Sequence, residues 1–326
     1  MTKYIGRRLK IGVAKETVRG AGATPTYLVP HLSFSVDDKV TSVREQAGIG
    51  VIADSDNTFI TTRWAGGDLE SEVRDSSFGL FLYNLLGTCS TTGPADEAYT
   101  HSFSVSETNQ HQSLALLVQD PNTTEMYSLA MIESMEILVE LDEIVRFTIA
   151  FLAQRAESSS DTVPAITAEN KFTKKHLSFK VAATLANLDA ATASSVKRLR
   201  LSINKNLMLD DVLGTASPED ILNRQMAVEG EVELNYEDET WKNYFTNATK
   251  RAMEIKLTNT DATIGSGSTN PSLTIRMPRV DFYEWEPDYA LDEIVSQTLS
   301  FRANYDVSGG NNIISTCDLV NGVVSY

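Results

Sequence analysis

The chain has 326 residues, of which 42% are apolar and 22% charged, and a net charge of −16. Those values fit a folded protein of about two domains, and no apolar run approaches the roughly 18–20 residues that span a bilayer. An acidic balance shared by both halves argues against ordinary DNA binding, which depends on Lys and Arg neutralising phosphates.

In chain order, the opening Met1–Lys10 is basic but lacks an apolar stretch and a cleavage site, so the whole chain is expected to be the mature protein, made and used in the cytoplasm. Alternating apolar and polar residues predict strands near 30–37, 57–72, 101–106, 112–119, 125–139 and 144–155. Between the second and third lies a helix: Asp75 is in position to cap it, Phe78, Leu82 and Leu85 share one face, and Gly87 ends it. Glu157–Pro164 reads as a linker. Lys171–Val181 alternates like a strand but has no clear mate earlier in the chain, and its lysines suit an added edge strand. Strands follow near 197–204, 225–236, 252–258, 272–285 and 294–304. Ser217-Pro-Glu-Asp220 has the cap and proline of a short helix. A second helix is capped by Asp238 and presents Trp241, Phe245 and Ala248 on one face.

The later strands echo the earlier ones. Leu141-Asp-Glu-Ile-Val145 recurs identically as Leu291-Asp-Glu-Ile-Val295, so that Asp142 corresponds to Asp292, at an offset of 150. Gly67-Asp-Leu-Glu70 resembles Gly230-Glu-Val-Glu233 at offset 163, and the same offset carries Asp75 to Asp238 and Phe78 to Trp241. A weaker match sets Leu32–Val36 against Leu199–Ile203 at offset 167. Three matches in one order indicate a duplicated β-rich unit, with a first domain at 1–158, a linker and inserted strand at 159–195, and a second domain at 196–326.

Catalytic motifs are missing. His31, His101, His111 and His176 are scattered without metal-ligand spacing, and there is no nucleophile elbow or phosphate-binding loop. Asp54-Ser-Asp56-Asn57 begins like a calcium loop but lacks its glycine and distant glutamate. Asp142-Glu143 and Asp292-Glu293 read as turn residues, since adjacent strand residues point to opposite faces. Cys89 and Cys317, one in each half, read as free thiols, with a bridge between them as the alternative. No cofactor, metal or enzymatic activity is expected.

The segment Ile11-Gly-Val-Ala-Lys-Glu-Thr-Val-Arg-Gly20, followed by Ala21–Pro30, resembles the opening of the tail tube proteins of siphophages. Val40–Glu45, Gly66–Val73, Leu273–Val280, Leu291–Val295 and Phe301–Asn304 are similar to later segments of the same family. The resemblance implies a mainly β (α+β) fold of two tandem β-barrel or sandwich domains, each with one flanking helix. It further implies trimeric, pseudo-hexameric rings stacked into a tube in the virion tail, assembled in the host cytoplasm. The implied partners are further copies of the chain, a tape-measure protein, terminator and tip proteins, and phage DNA passing through unbound; no membrane is involved. A terminator, a contractile injection-system tube and a carbohydrate-binding β-sandwich stand as the alternatives.

Asp38–Thr62 is long for a hairpin loop and carries apolar Val43, Ile49, Val51 and Ile52 beside Arg44 and Asp54. It is expected to be an exposed arm that docks on the next ring.

Overall fold

A computed structural model describes residues 3–292 and 294–326. The first half supplies β1 (Lys10–Lys15), β2 (Tyr27–Val29), β3 (Ser33–Arg44), β4 (Thr58–Glu72), α1 (Phe78–Leu86), β5 (Gly87–Ala95), β6 (Ala98–Val105), β7 (Leu114–Gln119), β8 (Thr124–Val139), β9 (Arg146–Ala153) and β10 (Glu157–Ser158). The rest supplies β11 (Leu177–Ala182), β12 (Val196–Asn204), β13 (Met208–Asp210), β14 (Asp220–Leu222), β15 (Ala227–Asn235), α2 (Thr240–Thr246), β16 (Arg251–Thr258), β17 (Ser272–Asp288), β18 (Ser296–Ala303) and β19 (Thr316–Asn321). The fold is mainly β, as expected.

Eight antiparallel strands form one continuous layer in the order β3-β4-β9-β8-β12-β15-β18-β17. Alternation places Leu69, Ile149, Ile137, Leu201, Val232 and Leu299 on its inner face, where they join the main core. The long β8 and β17 run on into a second layer. There β8 pairs with β7, which pairs with β1, and β17 pairs with β16, which pairs with β11. The C-terminal β19 lies between β17 and β6, so the last strand ties the two halves together.

The ladders of the two halves share one register. Gly67 lies opposite Phe151, and Gly230 opposite Phe301. Those phenylalanines lie opposite Ile132 and Phe282, and each pair is followed by a one-residue irregularity in the long strand, at Glu133 and Tyr283. A Cβ on Gly67 would collide with the Ser35 carbonyl, and one on Gly230 with the Arg200 carbonyl. Both positions therefore need glycine for close backbone approach.

Several expectations change. On the other side Gly67 faces Val36 and Gly230 faces Leu201, so the equivalent offset for β3 and β12 is 165, not 167. The strand within 171–181 is no unmatched insert: β11 pairs with β16 as β1 pairs with β7, and Val181 faces Met253 as Val13 faces Leu116. On its other edge it pairs with no strand among the described residues, and the Ser194 N–H donates to the Phe179 carbonyl at 2.9 Å. No helix forms at Ser217–Asp220, because Asp220 starts β14 and pairs with Asp210.

Candidate assembly surfaces

Where the halves meet, β12 continues the sheet from β8, with Leu199 opposite Val139, Leu201 opposite Ile137 and Ile203 opposite Met135. These side chains are buried. On the outer face, Arg200 meets Glu136 at 2.6 Å and Arg198 meets Glu140 at 2.9 Å. Just past the strand, Lys205 is buried; its backbone N–H donates to the Glu133 carbonyl at 2.8 Å and its Nζ to the Asn84 carbonyl at 2.9 Å. Burial, and then the charge of Arg19, pushes the Lys205 ammonium well below the usual lysine range.

The short hairpin β13–β14 lies against the first half. Asp220 pairs with Arg19 and accepts from Gln110 Nε2 at 2.6 Å, while the Asn223 N–H donates to the Asn109 carbonyl at 2.9 Å. Ile221 is buried in a small cluster with Leu129, Met131 and Leu207.

The matching hairpin of the first half is the distal part of β3 and β4. Val43 faces Phe59 there as Met208 faces Leu222 in β13–β14. This arm stands free: Val43, Ile49, Val51, Ile52 and Phe59 are all exposed. Arg44 and Asp54 meet at 3.0 Å across its base. The exposure agrees with the sequence reading of 38–62, whereas paired strand runs to Arg44 and resumes at Thr58.

The eight-strand layer ends at two edges that have no partner strand among the described residues. One is β3, paired only with β4. The other is 284–288 of β17, which has β18 on one side and nothing on the side that β16 occupies further back. Pro287, with no N–H to offer, sits in that open stretch. On the outer face between these edges two strands are acidic at every second residue, β15 with Glu229, Glu231 and Glu233 and β17 with Glu284, Glu286 and Asp288, while Arg198 and Arg302 pair with Glu231 and Glu229.

The helix-associated residues are placed as follows. Phe78 is buried against Phe147, ring centroids 5.0 Å apart. Trp241 is half-buried, 5.8 Å from the ring of Phe282. Asp238 stands one residue before the cap position, which Glu239 holds; it accepts from the Thr240 N–H at 2.7 Å, and hydrogen bonds from Thr240, its side chain's first and then its backbone's, hold the carboxyl below the usual range. Asp75 does not cap: Ser77 occupies the cap position, and the Asp75 carboxylate instead accepts from the Asn170 N–H at 2.9 Å and Nδ2 at 2.7 Å. Glu169 meets the α1 N-terminus, accepting from the Ser77 N–H at 2.8 Å. Asp142 is a turn residue with φ 64° that pairs with Lys174, and Asp292 lies in an exposed turn, while Glu293 falls outside the described residues. His101, His111 and His176 are buried, and the thiols of Cys89 and Cys317 are free. Among the described residues no group of His, Cys, Asp or Glu could hold a metal, and no helix is long and apolar enough to cross a membrane.

The sequence reading missed the open edges, with Asp37, Glu284, Glu286 and Pro287, and the Arg–Glu pairs at the internal junction. The period-2 acids Glu284, Glu286 and Asp288 were a usable signal; the junction partners were not, being about 60 residues apart.

Such a molecule is a β-sheet structural protein whose distinctive chemistry lies in strand edges and surface charge. The sequence model of the phage tail tube protein family matches residues 6–303, and the chain belongs to that family. It is thus a structural component of the virion tail. No curated protein matches the chain.

Proposed function

We propose that this chain forms rings of three copies, each copy contributing two versions of one domain, and that the rings stack into the tail tube that conducts DNA. The observation that carries the reading is the shared ladder register of the two halves together with the β8–β12 junction, which lets one sheet pass from the first version to the second. The second version begins near Lys171, since β11 stands where β1 stands in the first. Repeating the junction between chains gives a head-to-tail contact that can close into a ring.

The outer face of the eight-strand layer lines the bore. Its carboxylates have the sign of the DNA phosphates, so the polymer is repelled over about 8 Å at physiological salt and slides without holding. The exposed arm at 43–59 makes the contact between rings. A tape-measure protein fills the bore before DNA does, terminator and tip proteins close the two ends, and assembly takes place in the host cytoplasm. The chain needs no cofactor and catalyses no reaction.

Electron microscopy of the purified protein at high concentration tests this. Rings or tubes of uniform bore are expected; single chains at every concentration and salt would overturn it.

A further inference from the structure

The two open edges are related to each other by the same correspondence that relates the two halves. Because Gly67 and Gly230 mark one ladder position, Val36 stands where Leu201 stands, and Phe34 where Leu199 does. Because the irregularities at Glu133 and Tyr283 coincide, Pro287 stands where Ile137 stands, and Tyr289 where Val139 does. Leu201 and Ile137 are partners at the internal junction. Their counterparts, Val36 and Pro287, have no partner strand.

We propose, resting on the tube reading, that β3 of one chain pairs antiparallel with 284–289 of a second copy in the internal register, and that charge holds this junction open until it is screened. The register sets Phe34 against Tyr289, Val36 against Pro287 and Asp38 against Trp285 on the core side. Phe34, Val36 and Trp285 are half-buried and Tyr289 is exposed in the single chain, so the second copy covers apolar surface that is now wet. The free arm points to the same occupant: its counterpart β13–β14 is covered by the first half of its own chain, and the first arm has no such cover.

The outer side differs between the two junctions. Within the chain, Arg198 and Arg200 bind Glu140 and Glu136. Between chains, Ser33 and Ser35 take the arginine positions, and Asp37 stands opposite Glu286. Like charges directly opposite are destabilising, and only Lys39 opposite Glu284 offsets them. Pro287 removes one donor from the ladder as well. Charge and proline are devices that keep exposed edges from pairing at random. The contact therefore has the geometry of the internal junction with its attraction removed, and it strengthens as salt screens the carboxylates.

Two measurements test this, in a Cys89→Ser background. The first is register. Opposite residues that do not exchange ladder bonds have Cα atoms about 4.5 Å apart, within disulfide reach, whereas diagonal neighbours are about 7–8 Å apart. Oxidising rings that carry Asp37→Cys with Glu286→Cys should link chain to chain. Asp37→Cys with Glu284→Cys should not. Linking of the second pair in preference, or no linking in rings visible by microscopy, overturns the register. Absence of rings in the unsubstituted protein under all conditions sinks the tube reading itself, and this junction with it.

The second is the charge gate. Asp37→Ser, which copies Ser202 of the internal junction, should lower the critical concentration for assembly about 2- to 5-fold at low salt and lose that advantage at high salt. Glu107→Gln removes one charge away from both edges and should change nothing. Equal assembly by the unsubstituted protein and Asp37→Ser, or equal gains from Asp37→Ser and Glu107→Gln, overturns the gate.

Discussion

The two hairpin arms occupy equivalent places and differ in what covers them. In β13–β14, Ile221 is buried and Asp220 is held by Arg19 and Gln110. In the β3–β4 arm, Thr58 stands at the position of Ile221, and the apolar side chains Ile49, Val51 and Ile52 are exposed. One arm is part of the fold of its own chain. The other leaves its apolar surface exposed, and in the tube proposed above a second chain covers it, so that the same element would serve stability in one half and association in the other.

The contrast predicts opposite responses to the same substitution. Ile221→Asp buries a charge with no partner and should cost about 3 kcal/mol or more, read as a lowered Tm of the single chain. Ile52→Asp together with Ile49→Asp should change the single chain's stability by no more than about 0.5 kcal/mol. The double variant should nevertheless fail to elongate tubes, because assembly would then bury the two charges. Normal tubes from the double variant would move the contact elsewhere. An unchanged Tm for Ile221→Asp would remove the distinction between the arms.

Lys205 allows a finer test of the internal junction. Its folded-state pKa lies below the unfolded value of about 10.4, so the unfolded chain binds a proton that the fold does not. Stability tied to this group is fully present above about pH 10.4 and is lost as pH falls toward the folded value. Lys205→Met keeps the apolar stem and removes the titration. The stability of the unsubstituted chain relative to the variant should therefore rise with pH, by up to about 1.4 kcal/mol per pH unit. Chemical denaturation from pH 7 to 10 measures it, and a flat difference would mean that the ammonium stays charged in the fold.

How much of this was legible in the sequence depends on the range of the forces involved. The strands around Leu69, Ile149, Leu201 and Leu299 were visible because one face of each is buried and alternation records it. The match of Leu32 to Leu199 slipped by two residues for the same reason: a strand pattern of period 2 is unchanged by a shift of two. Only the ladder, through Gly67 and Gly230, fixes the true offset. β11 escaped pairing with β1 because Phe179-Lys-Val181 and Ile11-Gly-Val13 share a pattern and little identity. At Ser217–Asp220 a local helix signal lost to a distant one, since Arg19, some 200 residues away, holds Asp220 at the start of β14. The arm was recognisable because its apolar residues had no local use. The open edges were not, since an edge is defined by which strand is missing beside it.

The smallest predicted effect separates the two helix entries, where one sequence signal gave two structures. Asp75 and Asp238 hold equivalent places before α1 and α2, yet only Asp238 bonds to the first turn of its helix. Asp75 is buried and reaches across to Asn170, so Asp75→Ala leaves the Asn170 N–H without its acceptor and should cost about 1–3 kcal/mol. Asp238 is exposed, and water can replace its carboxylate at the Thr240 N–H. Asp238→Ala should therefore lower Tm by less than Asp75→Ala, and Asp238→Asn, which keeps an accepting oxygen, by less still. Thermal melts of the three variants side by side decide it. If Asp238→Ala proved the more damaging, α2 would be the element on which its half depends, and Asp75 would be a surface carboxylate in all but position.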